Sequence, residues 1–154
     1  SYEKSGEAST RSAYGQGIRE GESSVYRKGN IVAKIMYQQG KKNGLGHFYD
    51  TDGNLINVIS FQNDQKHGEM KSFNESGNLT RIQTFVQNKK HGPTISFYPS
   101  GAVMQKTDYE NDQKHGPMVT YNLQGEEIQI AHYSRGKLVE PTAIIHPILG
   151  VQYT

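Results

Sequence analysis

Hydrophobic and polar residues alternate along most of this chain in short stretches, and the whole pattern returns with a fixed period. Alternation of every second residue is typical of a half-buried β-strand. The first strand of each unit is predicted at residues 45–50, 69–74, 93–98 and 117–122, and the second at 54–62, 78–86, 102–110 and 126–134. Each unit is therefore predicted to be a β-hairpin, with antiparallel neighbours because the connections are short.

Aromatic residues mark both strands of the unit. One column consists of Tyr37, Phe61, Phe85, Tyr109 and Tyr133, and the other of Tyr49, Phe73, Phe97 and Tyr121. Each column shares the parity of apolar residues in its own strand, whereas the residues of opposite parity are a mixture of apolar and polar types. We therefore expect two aromatic ladders along the sheet, opposite a mixed face.

A six-residue phrase gives the clearest mark of the period. It runs from Asn63 to Gly68 and returns letter for letter from Asn111 to Gly116. Its last position defines a glycine column, Gly44, Gly68, Gly92 and Gly116, and a second column is formed by Gly53, Gly77, Gly101 and Gly125. Both columns are predicted to be turn glycines: the second closes a tight hairpin, and the first ends a wider turn into the next strand.

These patterns predict an all-β fold, a single-layer antiparallel β-meander built from about five 24-residue hairpin repeats. A thick two-layer core is not expected, since only 33% of the 154 residues are hydrophobic and Trp is absent. Residues 1–13 are predicted to be a flexible lead-in and 14–140 the repeat array, whose first unit is a 23-residue variant. Residues 141–154 form an apolar tail, interpreted as a cap or alternatively as a docking segment.

Composition narrows the possible partners and chemistry. The chain has no Cys, which excludes disulfides and thiolate metal sites, and its net charge of +2 is too small to indicate nucleic-acid binding. No apolar run approaches the roughly 18 residues of a membrane helix. The chain begins at Ser1 rather than Met, and we expect a periplasmic location, for example as a processed lipoprotein, with a cytoplasmic location as the alternative.

A column of histidines, His67, His91 and His115, suggests a metal site at first. Equivalent atoms of successive units should lie roughly 9 to 10 Å apart, because each unit adds two strands at about 4.8 Å. Ligands of one zinc ion each lie about 2.0 Å from it. We therefore expect no metal and no cofactor, and with no nucleophile elbow or phosphate loop in the sequence we expect no enzyme.

The same phrases collect lysines at one long edge of the predicted sheet. They are Lys41, Lys42, Lys66, Lys89, Lys90, Lys114 and Lys137, with Arg135 nearby. Such a stripe is either a solvated rim that discourages edge pairing or a guide for an acidic protein surface or anionic lipid. The candidate partner-binding residues are Lys66, His67, Lys89, Lys90, His91, Lys114 and His115, together with Met104 and Ile128 on the mixed face.

The template Tyr-x-x-x-x-Lys-x-Gly-x-x-x-x-Tyr/Phe-x-x-x-Gly, with His before the first glycine in three units, resembles the MORN-repeat variant found in bacterial proteins. Residues Tyr14 to Tyr133 carry the resemblance. Departures from it are the short first unit, Asn43 in place of His, and Glu140 in place of the repeat glycine. The resemblance implies consecutive hairpins, and bacterial proteins of this kind are often immunity or antitoxin-like proteins, while eukaryotic relatives are associated with membranes or scaffolding.

The sequence therefore predicts a non-enzymatic protein-binding repeat protein. In its most concrete form it is an immunity or antitoxin protein that neutralises a cognate toxin or secreted effector by occlusion. The alternative is a membrane-surface module that binds anionic lipid, or a scaffolding module.

Overall fold

The structure is a computed structural model that describes residues 8–15, 17–139 and 142–144. Within these residues the chain forms one antiparallel sheet of thirteen strands. The strands are β1 (Ala8–Gly15), β2 (Ile18–Arg27), β3 (Asn30–Gln38), β4 (Lys41–Tyr49), β5 (Leu55–Gln62), β6 (Gln65–Phe73), β7 (Leu79–Val86), β8 (Lys89–Phe97), β9 (Val103–Glu110), β10 (Gln113–Tyr121), β11 (Glu127–Ser134), β12 (Lys137–Leu138) and β13 (Ala143–Ile144).

The order of strands in the sheet is their order in the sequence from β1 to β12, and β13 pairs with β11. This confirms the predicted all-β meander of consecutive hairpins. No helix among the described residues is long and apolar enough to cross a membrane.

One face of the sheet holds the core. Directly paired residues of antiparallel strands share a face, and the register joins Ile35, Gly46, Ile59, Met70, Gln83, Thr94, Thr107, Met118 and Ala131 into one row across the sheet. Phe61 and Phe85 lie two positions from this row on the same face, which we call the ring face. The buried side chains of the described residues all belong to it, including the polar Gln83 and Thr107.

The second aromatic column lies on the other face. Met118, in the row of the ring face, pairs with Thr107, whereas the next residue, Val119, pairs with Lys106. Tyr121 follows two positions after Val119 and shares its face. The two aromatic ladders therefore lie on opposite faces of the sheet, and the prediction that both lie opposite a mixed face is wrong. A two-residue turn pairs an odd-numbered residue with an even-numbered one, as Phe61 with Lys66, so residues of the same parity change face from one strand to the next.

The structure corrects where the first strand of each unit begins. The predicted start at residue 69 is Gln65 in the structure, and the starts at 45, 93 and 117 are likewise Lys41, Lys89 and Gln113. The Lys-His-Gly phrase therefore lies inside a strand and not in a turn.

The tight turn is formed by the first two residues of the six-residue phrase. Asn63 and Asp64 have φ of 49° and 69°, and Gln87–Asn88 and Asn111–Asp112 closely repeat these values. Positive φ at both central residues is the mark of a two-residue type I′ hairpin turn, and Asn and Asp tolerate it better than most residues. The assignment of tight and wide turns is thus exchanged relative to the prediction, because the glycines that end the phrase lie inside strands and Asn63 and Asp64 form the turn.

The glycines of the phrase serve as bulges. Gly44, Gly68, Gly92 and Gly116 have φ between 99° and 108° inside their strands, where the register with the preceding strand shifts. The other column, Gly53, Gly77, Gly101 and Gly125, lies in the longer turns. There Gly53 N–H donates to the carbonyl of Asp50 at 3.1 Å.

The two ends of the chain depart from the predicted boundaries. Residues 8–13, expected in the flexible lead-in, belong to β1, whose pairing with β2 satisfies their backbone. Residues 1–7 lie outside the described residues. Of the predicted tail, only residues 142–144 are described, and their strand β13 lies along β11 beyond β12.

Candidate binding surface

A lysine occupies the second position of the strand that follows the tight turn in four units, namely Lys42, Lys66, Lys90 and Lys114. Lys66 is paired with Phe61 across the hairpin, on the ring face. Its ammonium lies 5.1 Å from the centre of the Phe85 ring, which belongs to the following strand. Lys66 thus lies between two aromatic residues of consecutive units.

The same contact recurs along the sheet. Lys42 Nζ lies 5.2 Å from the Phe61 ring, Lys90 Nζ 5.0 Å from Tyr109, and Lys114 Nζ 4.9 Å from Tyr133. Arg19 begins the series 5.0 Å from Tyr37. A cation within about 6 Å of a ring centre is attracted by the quadrupole of the ring. We call this series the lysine–aromatic edge.

The predicted basic stripe therefore divides into two kinds of lysine. Lys66, Lys90 and Lys114 are half-buried against rings, whereas Lys89, like Lys41 and Lys137, is exposed. His115 Nε2 lies 3.7 Å from Glu110 Oε2, an ion pair if the imidazole is protonated. Lys42, Lys66, Lys90 and Lys114 contact aromatic rings and form no ion pair with a carboxylate among the residues that the structure describes.

The turn carboxylates that might have neutralised them bond to backbone instead. Asp64 Oδ1 accepts the N–H of Lys42 at 2.8 Å, and Asp64 N–H donates to the Lys42 carbonyl at 3.0 Å. Asn88 forms the same pair of bonds with Lys66, and Asp112 with Lys90. Each pair joins one turn to the unit before it, and we call it a turn clamp.

The three predicted histidines occupy different environments. His67 is half-buried and lines a shallow groove with Asn43, Ser60 and Gln62. His91 is exposed, and so is His115, whose Nδ1 accepts the N–H of Arg135 at 3.3 Å. Among the described residues no group of His, Asp and Glu is arranged to hold a metal ion.

Met104 and Ile128 are not part of the lysine–aromatic edge. Each is the second residue of its strand, β9 or β11, and those strands begin at the long turns. Both side chains are half-buried. The structure therefore brings the lysines and histidines together along one edge of the sheet and leaves these two residues near the opposite edge.

Sequence reasoning did not predict that the lysines contact aromatic rings. It also missed the first contact of this series, between Arg19 and Tyr37. Arg19 also hydrogen-bonds Tyr14, and this bond, with a second from Ser12, lowers the pKa of the Tyr14 phenol. The usable signal was the constant spacing of the Lys and aromatic columns, since two columns in phase on one edge must meet at every unit.

Fold and surface together define a β-hairpin repeat scaffold with a cationic edge. In a comparison with protein families, residues 66–87 and 90–111 match the model of the MORN repeat variant. The matched segments cover the hairpins β6–β7 and β8–β9, in phase with the repeats seen in the sheet. This repeat is a non-catalytic module, and MORN repeats generally bind proteins or membranes. A comparison with curated proteins gives no significant match.

Proposed function

We propose that this protein is a non-enzymatic binding protein whose lysine–aromatic edge docks on an acidic surface of a partner protein. The observation that supports this is the row of ammonium groups at Lys42, Lys66, Lys90 and Lys114, each 4.9 to 5.2 Å from a ring centre. A regular row of charges that pair with no carboxylate in the described part of the chain provides electrostatic complementarity for an acidic surface.

The rings also fix where these charges stand. A free lysine loses much rotamer freedom when it binds, whereas one that already rests on a ring loses less. Equivalent ammoniums of successive units are spaced at roughly 9 to 10 Å, because each unit adds two strands. The edge is therefore a preorganised array that favours a partner with acidic groups at a similar spacing.

In its most concrete form the partner is a toxin or secreted effector, and the protein is its immunity or antitoxin protein. The resemblance to bacterial proteins of that kind supports this form. The path of twelve strands extends on the order of 50 Å. Such a length suffices for a standard interface of about 800 Å² per partner, which could occlude a functional surface of the toxin.

Anionic lipid is the second candidate ligand for the same edge. The exposed apolar residues Leu138 and Val139 follow Arg135 and Lys137 at the end of the described sheet. Basic residues beside exposed apolar ones favour binding at a membrane surface.

Binding by a charge-neutral variant tests the proposal. In Lys66→Gln/Lys90→Gln/Lys114→Gln the edge loses three charges, and in the control Lys28→Gln/Lys71→Gln/Arg81→Gln three exposed cations are lost elsewhere. Each protein serves as bait in extracts of its source cells, after circular dichroism has verified folding. We expect one partner to be retained by the wild type and the control, lost from the edge variant, and released by salt.

Two further outcomes decide between the candidates. If co-expression of the wild type, but not of the edge variant, rescues cells from the toxicity of the captured partner, the immunity role is supported. If vesicles containing phosphatidylserine float the wild type and no protein is captured, the lipid alternative replaces it. A partner held equally by the edge variant would exclude the lysine–aromatic edge as the docking surface.

A further inference from the structure

The long turns, together with the two-residue turn Lys28–Gly29, line up along the edge opposite to the lysines, and grooves lie between consecutive turns. Two of these grooves are open cavities. The first, of about 390 Å³, is lined by residues that include Lys34, Tyr49 and Asp52. The second, of about 480 Å³, is lined by residues that include Val103, Lys106, Tyr121 and Leu123. We call them the first and second end grooves.

The two end grooves are equivalent positions of the repeat. Lys34 and Lys106 are three repeat periods apart, as are Tyr49 and Tyr121. In the two units between them the same positions hold apolar pairs, namely Val58 with Phe73 and Ile82 with Phe97. Because the sheet accepts Val or Ile with Phe at these positions, folding does not require Lys with Tyr.

Register explains why the lysine and the tyrosine line the same groove. Lys34 is paired with His47 and Lys106 with Val119, in each case two positions before the tyrosine on the same neighbouring strand. Lys106 Nζ lies 5.9 Å from the centre of the Tyr121 ring. The hydroxyl of Tyr98 donates to the Tyr121 carbonyl at 2.6 Å and so fixes the backbone at the wall of the second groove.

Neither lysine forms an ion pair with a carboxylate among the residues that the structure describes. We propose that each end groove binds the carboxylate of an acidic peptide segment of a partner protein. The lysine ammonium supplies a charge-assisted hydrogen bond to one carboxylate oxygen, and the tyrosine hydroxyl donates a second. These grooves lie at the edge opposite to the lysine–aromatic edge, and their binding does not depend on the function proposed for that edge.

The walls of the two grooves differ, which predicts an order of affinity. In the second groove the 58% exposed Leu123 offers apolar contact to a residue next to the bound acid, whereas the first groove has Thr51 at that repeat position. Val103 makes no such difference, because its equivalent Ile31 lines the first groove. In the first groove Asp52 stands among the lining residues and repels a second carboxylate. An acidic residue beside a leucine should therefore bind the second groove more tightly.

The test uses the whole chain labelled with ¹⁵N and the dipeptide acetyl-Leu-Glu-amide, with acetyl-Leu-Gln-amide as the neutral counterpart. We expect amide shifts to saturate around residues 101–107 and 121–125 first and around 29–34 and 49–53 at higher concentration. The neutral dipeptide should bind about tenfold more weakly, since it lacks the charge that strengthens these hydrogen bonds.

Substitutions copied from the middle units separate the two grooves without disturbing the fold. Lys106→Ile should weaken binding at the second groove about tenfold and leave the first unchanged, and Lys34→Val should do the reverse. Tyr121→Phe should also weaken the second groove. The control Lys71→Val removes an exposed lysine from the same row of the sheet, outside both grooves, and should change neither.

Three results would overturn the inference: no shift up to about 10 mM dipeptide, equal binding of the Gln dipeptide, or equal binding by the lysine variants. Shifts confined to Lys42, Lys66, Lys90 and Lys114 would also refute it while leaving the lysine–aromatic edge as the acid-binding surface. Loss of partner binding in the edge variant together with intact dipeptide binding would show that the two surfaces act separately.

Discussion

At the scale of single residues, the contact between a lysine and an aromatic ring could not be found from alternation alone. Lys66 lies over Phe85, which belongs to β7, whereas the hairpin partner of its own strand across the tight turn is β5. Placing the two residues together requires the register of β6 with β7, in which Gly68 is opposite Phe85. Sequence parity gives the face of a residue but not its diagonal neighbours.

Asp50 shows how a long turn depends on one side chain. Its Oδ1 accepts the N–H of Asn54 at 2.9 Å and that of Asp52 at 3.0 Å. Asn74 and Asn122 accept equivalent bonds in the later units. The hydrogen bond from the Asn54 backbone is the largest cause that lowers the pKa of Asp50, and bonds from the Asn54 side chain and the Asp52 backbone add to it.

This carboxylate makes stability depend on pH in a defined direction. Because the folded-state pKa lies below the ordinary value of 3.8, the contribution is fully present above that value and is lost as the pH falls through the lowered pKa. In Asp50→Asn the amide retains the acceptor without titrating. We expect urea denaturation from pH 6 to pH 2 to show a smaller loss of stability in this variant than in the wild type.

The control for this experiment is Asp52→Asn, which changes the same charge at an exposed position of the same turn. Its stability should follow the pH dependence of the wild type. Identical curves for Asp50→Asn and the wild type would show that the carboxylate does not contribute.

At the scale of the element, the bulge glycines and the turn glycines should respond differently to substitution. Gly68 has φ of 102°, and a Cβ added there would lie 3.1 Å from Ser60 Oγ. Gly77 has φ of 84° with open space around the position of its Cβ. Both substitutions strain the backbone by about 1 to 3 kcal/mol, and Gly68→Ala adds a close contact.

We therefore expect Gly68→Ala to lower the free energy of unfolding more than Gly77→Ala. The measurement is urea denaturation of both variants at neutral pH. Equal losses would mean that Ser60 moves aside freely and that only the φ value matters at this bulge.

The hairpins themselves could be predicted from alternation and period, since the aromatic columns fix both strands of every unit. The turns could not be assigned correctly because glycine is the expected residue at positive φ, and here Asn63 and Asp64 adopt it while Gly68 lies in a strand. The position of the tight turn is fixed by the turn clamp, in which Asp64 hydrogen-bonds Lys42 of the preceding unit. That contact joins residues 22 positions apart and has no local signature in the sequence.

At the scale of the whole molecule, the linear order of strands predicts an uneven stability. Each central strand has a partner on both sides, whereas β1 pairs only with β2 among the described residues, and β12 and β13 pair only with β11. In such an array stability is roughly the sum of each unit and its contacts with neighbours. Local opening should therefore begin at the ends of the described sheet.

Hydrogen exchange followed residue by residue measures this directly. We expect amides of β5 to β9 to exchange slowest and those of β1, β12 and β13 fastest, with a graded change between them. Uniform protection across all strands would instead show that the sheet opens only as a single cooperative unit.

The turn clamps also bear on how a protein of this design changes its length. Each clamp joins a turn only to the unit before it. Equivalent residues of successive units are joined in one row by the register, as Ile59, Gln83 and Thr107 are, so one additional unit leaves every side chain on its original face. Duplication or loss of a single repeat-length stretch of the gene would therefore add or remove one lysine of the lysine–aromatic edge without disturbing the others. Recombination can therefore lengthen or shorten the lysine–aromatic edge by one repeat unit at a time.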